Sequence, residues 1–233
     1  TDGVRGVANE ELTPQLAMQL GQAGAYVLTK ENAHKPTIMV GCDTRISGDM
    51  LANALMAGAC SVGANCIYVG VIPTPAVAYL TQKYKVDAGV VISASHNPVE
   101  FNGIKFFDRD GGLEHDDITE ILKLASLLNP VNDNAYIEKY DLLSVYAEYL
   151  KKKIADALAD QTPSGKLPLE GLHIVVDSGN GASGFFVDKI LKPLGADTTG
   201  SQFLEPDGMF PNHIPNPENK AAMEAIRNAV LNN

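Results

Sequence analysis

Positive charge is in short supply in this sequence: 18 lysines and arginines stand against 28 aspartates and glutamates, a formal net charge of −10. An acidic surface repels the phosphates of nucleic acid and of anionic lipid, so neither is expected as a partner. A small phosphorylated ligand would need a locally positive site against that background. Cysteine is scarce too. Cys42, Cys60 and Cys66 fit no zinc spacing, and an odd count argues against a disulfide framework. Each lies in an apolar-rich stretch and reads as a buried, reduced thiol. No stretch is long and uniformly apolar enough to span a membrane, no signal peptide opens the sequence, and there is no short-period repeat or low-complexity segment. The first residue is Thr1 rather than Met, and the expectation is a cytoplasmic protein trimmed at its front.

What is present is an alternation of helix and strand patterns, with 45% hydrophobic residues among 233, enough for one large core or two small ones. Thr13-Pro14 is a helix start, followed by Leu16, Leu20, Ala23 and Val27 at helical spacing. Residues 37–42, 66–71, 88–93 and 103–107 read as short buried strands, and residues 75–84 and 116–128 as helices. Ser47 is the expected cap of a further helix carrying Leu51 and Leu55. Strands separated by helices imply an α/β fold with a mainly parallel sheet. Such sheets hold ligands in the loops beyond the carboxyl ends of their strands.

Residues 130–140 are polar and read as a linker between a first domain, 1–129, and a second, 141–233. The second begins with a helix from about 141 to 159. A strand at 172–177, a Gly-rich turn, a helix at 183–191 and a closing helix at 220–231 follow. The expected architecture is two domains of mixed, mainly parallel sheet with flanking helices, the second incomplete.

The densest chemistry lies in Ser93-Ala94-Ser95-His96-Asn97-Pro98 and in Asn102-Gly103-Ile104-Lys105 just beyond it. Ser95 could be a nucleophile or a phosphate carrier; a phosphoserine adds about −1.5 to −2 charge and needs cations near it. Asn97-Pro98 is also a common turn, whose Ser and His can simply bond the backbone, and local chemistry leaves both readings open. A Ser–His hydrolase is disfavoured, since adjacent residues of an extended segment point to opposite sides and there is no G-x-S-x-G elbow. His34, His115 and His173 read as surface or strand histidines.

Four segments, in order, resemble the α-D-phosphohexomutases. They are Thr1-Asp2-Gly3-Val4-Arg5-Gly6, Gly41-Cys42-Asp43-Thr44-Arg45-Ile46-Ser47-Gly48, Pro73-Thr74-Pro75 and the serine loop with its Asn-Gly-Ile-Lys sequel. The likeness continues into Asp177-Ser178-Gly179-Asn180-Gly181. Residues 91–100 look most like phosphoglucosamine mutases, and 210–218 more like phosphoglucomutases and phosphomannomutases. The resemblance implies that Ser95 is phosphorylated and gives Mg²⁺ one ligand through its phosphate. It implies that Arg5 and Lys105 assist proton transfer and charge stabilisation, and that His96 contacts the phosphate or a sugar hydroxyl. Asn97 and Arg45 would serve phosphate binding, although an Asp43–Arg45 pair that holds a loop is the alternative for Arg45. The implied activity interconverts hexose 1-phosphates and 6-phosphates through a hexose 1,6-bisphosphate.

The D-G-D-x-D-R loop that supplies the family's metal aspartates does not occur here, nor do the domains that recognise the sugar. These 233 residues are therefore expected to need the remaining C-terminal domains of the same protein and to be inactive alone. A non-catalytic sugar-phosphate-binding or regulatory module derived from half a mutase is the rival reading.

Overall fold

Four of the expected strands form the centre of one sheet. The computed structural model describes residues 3–29, 34–109, 111–113, 115–131 and 133–233; Thr1, Asp2 and the His115 side chain fall outside these. Two compact units divide the chain, Thr1–Asp141 and Leu142–Asn233.

The first unit holds β1 (Gly3–Val7), α1 (Pro14–Thr29), β2 (Thr37–Cys42), α2 (Gly48–Ser61), β3 (Asn65–Val71), α3 (Thr74–Tyr84), β4 (Ala88–Ile92), β5 (Phe101–Phe107), α4 (His115–Leu124) and β6 (Ile137–Lys139). The sheet order is β1-β5-β4-β2-β3-β6. The β2–β3, β2–β4 and β3–β6 pairs are parallel, while β1 and β5 run antiparallel to their neighbours. Alternation along the strands sends Ile38, Val40, Val90, Ile92, Ile104 and Phe106 into one core with Leu20 of α1, Leu51 and Leu55 of α2, and Ile121 of α4. The opposite face carries Met39 and Val91, both buried, and there Gly41 faces Val77 and Gly89 faces Thr81 of α3.

Two strands escape the sequence reading. Residues 3–7 are too short and glycine-rich to give an alternating signal, yet they pair along β5 from Gly3 opposite Lys105 to Val7 opposite Phe101. Part of the stretch read as a linker is β6. It adds main chain rather than side chains to the sheet: Tyr136 O accepts from Cys66 N at 2.9 Å and Tyr140 N donates to Tyr68 O at 2.9 Å. All three β6 residues are exposed, so hydropathy could not reveal it. Thr13 behaves as expected, its hydroxyl accepting from Leu16 N at 3.2 Å. Ser47 occupies the cap position of α2 but does not cap, because its hydroxyl accepts from Asn102 Nδ2 at 2.8 Å instead.

The second unit contains α5 (Leu143–Leu158) and α6 (Lys220–Asn232). Ala147, Leu150 and Ile154 of α5 pack with Leu169, Ile190, Leu191 and Leu194. The strand expected at 172–177 runs parallel beside 197–202, with Ile174 N donating to Asp197 O and Gln202 N to Val176 O, each at 2.8 Å. It is not a continuous ladder, because Val176 N donates to the Ser201 hydroxyl rather than to a carbonyl. In place of a regular helix at 183–191, the chain forms a π-helical turn at Val187–Leu191 and a 3-10 turn at Lys192–Leu194, where Pro193 contributes no N–H. Among the described residues no helix is long and apolar enough to cross a membrane.

Candidate functional site

The serine loop follows β4 and meets the loop after β2, so the cluster sits where strand carboxyl ends open a parallel sheet. Asp43 N donates to Ile92 O at 2.9 Å, joining the two loops at their roots. From there a chain of polar contacts runs outward. Asp43 Oδ2 accepts from the Ser93 hydroxyl at 2.7 Å, and Ser93 Oγ accepts from Ser95 N at 3.0 Å.

Arg45 closes the loop from below. Its side chain has 0% exposure. Its Nε donates to Asp43 Oδ2, Nη1 to the carbonyls of Pro98 and Phe101, and Nη2 to those of Ser95 and Asn97, at 2.6 to 3.2 Å. A guanidinium has five N–H donors, and these five bonds use them all. Four of the donors thus go to backbone carbonyls and one to the Asp43 carboxylate. Burial pulls its pKa below the ordinary arginine value, against the opposing effect of the neighbouring Asp43 carboxylate.

Ser95 itself is exposed and sits at φ +59°, in the left-handed region. That conformation overturns the premise that Ser95 and His96 point apart as in a strand. Ser95 Oγ lies 3.4 Å from His96 Nδ1, close but longer than an ordinary hydrogen bond. Arg5 Nη1 is 3.5 Å from Asn97 Oδ1. Arg5 lies opposite Gly103 across β1 and β5, and Lys105 stands two residues further along, so the two cations share one face of the sheet. Val91 lies opposite Lys105, and Ser93 N donates to Gly103 O at 2.9 Å, which brings β1, β5 and the root of the serine loop into one row.

Gly103 is required by that row: a Cβ there would stand 2.6 Å from Ser93 O and 3.1 Å from Val4 O. Asn102, fully buried, holds Ser47 with its amide and accepts from Gly103 N at 2.8 Å. Ser93, Asn102 and Gly103 had no role in the sequence reading. The signal available was their place, Ser93 two residues before Ser95, and Asn102 and Gly103 three and two residues before Lys105.

Residues 177–181 and 210–217, two separate motifs of the second unit, are joined by a buried pair. His213 Nε2 lies 3.0 Å from Asp177 Oδ1, with side-chain exposures of 10% and 7%. His213 Nδ1 lies 3.0 Å from Ile214 O. Both neighbours are acceptors, so only the doubly protonated ring satisfies both. Burial alone would lower the His213 pKa, but the Ile214 carbonyl and the Asp177 carboxylate outweigh it and raise it above 6.5. Gly179 N and Gln202 Nε2 complete the shell of Asp177 at 2.9 and 2.8 Å.

Among the described residues no three His, Cys, Asp or Glu side chains gather to hold a metal. Asp43, the carboxylate of the serine-loop network, has both oxygens engaged by Arg45 and Ser93. A phosphoryl group on Ser95 could give Mg²⁺ one ligand, and the donor set here does not fit the ion by itself.

The family description "Phosphoglucomutase/phosphomannomutase, alpha/beta/alpha domain I" matches residues 1–126, and the corresponding domain II matches residues 145–233. A phosphoglucosamine mutase of Ruminiclostridium cellulolyticum is 50% identical over 216 residues, covering 89% of this chain and 45% of that protein. One from Thermoanaerobacter sp. is 50% identical over 204 residues, covering 84% and 43%. This chain thus spans a little under half the length of the curated relatives it matches. Among solved structures, a phosphoglucomutase/phosphomannomutase family protein from Burkholderia thailandensis superposes with a TM-score of 0.79 at 27% identity, covering 96% of this chain and 47% of that one. A putative phosphomannomutase from Thermus thermophilus gives 0.76 at 25%, covering 94% and 48%. With both domain descriptions matched in order and the serine loop built as above, the chain belongs to the phosphoglucomutase/phosphomannomutase family.

Proposed function

We propose that Ser95 carries a phosphoryl group and that the complete protein uses it to interconvert the 1-phosphate and 6-phosphate of a hexose, through a hexose 1,6-bisphosphate. The observation that carries this reading is the exposed Ser95 hydroxyl on a backbone pinned by Arg45 at its carbonyl and by Ser93 at its amide. Phosphoryl transfer asks a protein mainly for positioning and for charge neutralisation. In the transfer step a sugar hydroxyl oxygen attacks phosphorus, the bond from phosphorus to Ser95 Oγ breaks, and the sugar's proton is passed on as the serine oxygen regains one. Arg5 and Lys105 supply positive charge beside the loop. His96, within 3.4 Å of Oγ, is placed to contact the phosphate or the incoming hydroxyl. Asn97, beside Arg5, shapes the loop.

Mg²⁺, where bound, neutralises charge on the transferring group; its carboxylate ligands would come from C-terminal parts of the same protein outside these residues, as would recognition of the sugar. The similarity to proteins named phosphoglucosamine mutase supports glucosamine phosphate as the substrate. The likeness runs over 216 residues, well past the 141 of the first unit, so the second half also sides with that sugar. A cytoplasmic site of action belongs to the same reading. The test is the full-length protein with Ser95→Ala: turnover of glucosamine 6-phosphate is lost while the far-ultraviolet dichroism is kept. Unchanged turnover in that variant would sink the proposal, and faster turnover of glucose or mannose phosphates in the unaltered protein would reassign the sugar.

A further inference from the structure

Between the exposed serine and the sheet stands a buried hydroxyl that takes no direct part in the proposed reaction. Ser93 follows β4 directly and is 5% exposed. Its hydroxyl is bonded to Asp43 Oδ2 at 2.7 Å and to Ser95 N at 3.0 Å. Chemistry fixes both directions: a carboxylate only accepts and an amide N–H only donates, so the Ser93 proton points at Asp43 and its oxygen receives the Ser95 amide. Asp43 is itself held, with Arg45 Nε donating to Oδ2 at 3.2 Å and Arg45 N to Oδ1 at 3.0 Å. Ser93 N donates to Gly103 O at 2.9 Å, which ties the same residue to the strand that carries Lys105.

We infer that Ser93 is a positioning residue for phosphoryl transfer: its hydroxyl, oriented by Asp43, holds the Ser95 backbone left-handed and so aims Ser95 Oγ at the reacting phosphorus. The inference rests on the reading of Ser95 as the phosphoryl carrier. At φ +59°, Ser95 is in a conformation that a residue with a Cβ keeps only when its surroundings hold it there. Two bonds do so, one to the carbonyl from Arg45 Nη2 and one from the amide to Ser93 Oγ. Arg45 serves several carbonyls of the loop, whereas the Ser93 bond acts on the Ser95 amide itself. Its burial keeps Ser93 from the sugar, so it acts only through Ser95.

Without that bond the Ser95 backbone returns to the right-handed or extended regions, and either change swings Oγ from its place 3.4 Å from His96 Nδ1. Both halves of the cycle depend on that place, because Ser95 gives its phosphoryl group to one sugar hydroxyl and takes one back from another. The loss therefore falls on the chemical step and not on sugar binding. A displacement of about 1 Å costs on the order of 100-fold in rate. Asp43, in the second of the sequence motifs, gains a role by the same route: it sets the direction of the Ser93 hydroxyl.

The test is steady-state turnover by the full-length protein carrying Ser93→Ala, Ser93→Thr or Ser93→Val, with Ser95→Ala beside them. The substrate is glucosamine, glucose or mannose 6-phosphate, whichever the unaltered protein turns over fastest. Ser93→Ala is expected to lower kcat by about 10- to 100-fold with KM changed by less than about twofold. Ser93→Thr keeps a hydroxyl and should recover most of the rate. Ser93→Val has the shape of the threonine variant without its hydroxyl and should stay as slow as Ser93→Ala. A role in packing alone would not separate threonine from valine, and that comparison is read even where Ser93→Ala folds poorly. A Ser93→Ala kcat within about twofold of the unaltered one, equal rates for the threonine and valine variants, or a loss confined to KM overturns the inference. Turnover retained in Ser95→Ala sinks instead the phosphoryl-carrier reading on which it rests.

Discussion

The buried guanidinium of Arg45 donates to the carbonyl of Ser95 at 3.1 Å, from a side chain the solvent does not reach. This guanidinium therefore faces the backbone of the serine and not its hydroxyl. It ties down the backbone of the serine loop, and in the proposed reaction the positive charge falls to Arg5 and Lys105.

Removing Arg45 follows from that relationship. Arg45→Ala strands four backbone carbonyls and one face of Asp43, and breaking a buried, hydrogen-bonded pair of this kind costs about 3–5 kcal/mol. Urea unfolding of the full-length protein should show a loss of that size. Arg45→Lys should recover only part of it, since an ammonium has three donors where five are used. A loss under about 1 kcal/mol for Arg45→Ala would place the clamp elsewhere.

Ser95 holds a left-handed conformation that a side chain tolerates poorly, at φ +59°. Ser95→Gly should then be more stable than Ser95→Ala while abolishing phosphoryl transfer. Ser95→Ala keeps a Cβ and with it the strain of the left-handed backbone. Thermal denaturation of the three proteins side by side checks the order, and a glycine variant less stable than the alanine one contradicts it.

His213 gives a pH dependence. Its folded pKa is raised, held up by Ile214 O and Asp177 against the opposing effect of burial. Its contribution is therefore fully present below its unfolded value, ordinarily about 6.5, and fades as pH rises through the higher folded value. Unfolding free energies measured across that window should fall for the native protein, and His213→Gln should flatten the fall. The NMR titration of the His213 ring should have its midpoint above that of a free histidine.

Much of the first unit is legible in the sequence because its central strands are buried on both faces and its helices carry apolar stripes: Ile38 to Cys42, Ala88 to Ile92, and Leu16 to Val27 announce themselves. β1 and β6 do not, since one is made largely of glycine and valine around an exposed arginine and the other is exposed throughout. The motif around Ser95 was visible, but its geometry was not. Nothing in the letters Ser-Ala-Ser-His says that Ser95 turns left-handed and brings its hydroxyl near His96. The Asp43–Arg45 alternative was readable as spacing; that Arg45 would also donate to four backbone carbonyls required the loop's own path. His213 and Asp177 lie 36 residues apart, and only the fold joins them.

The most direct test of the phosphoryl-carrying role is a phosphate count on Ser95. The full-length protein, freed of phosphate and incubated with a hexose 1,6-bisphosphate, should gain one phosphoryl group by intact mass, mapped to the peptide containing Ser95 and absent from Ser95→Ala. A phosphate mapped to another residue, or one that persists in Ser95→Ala, would contradict it.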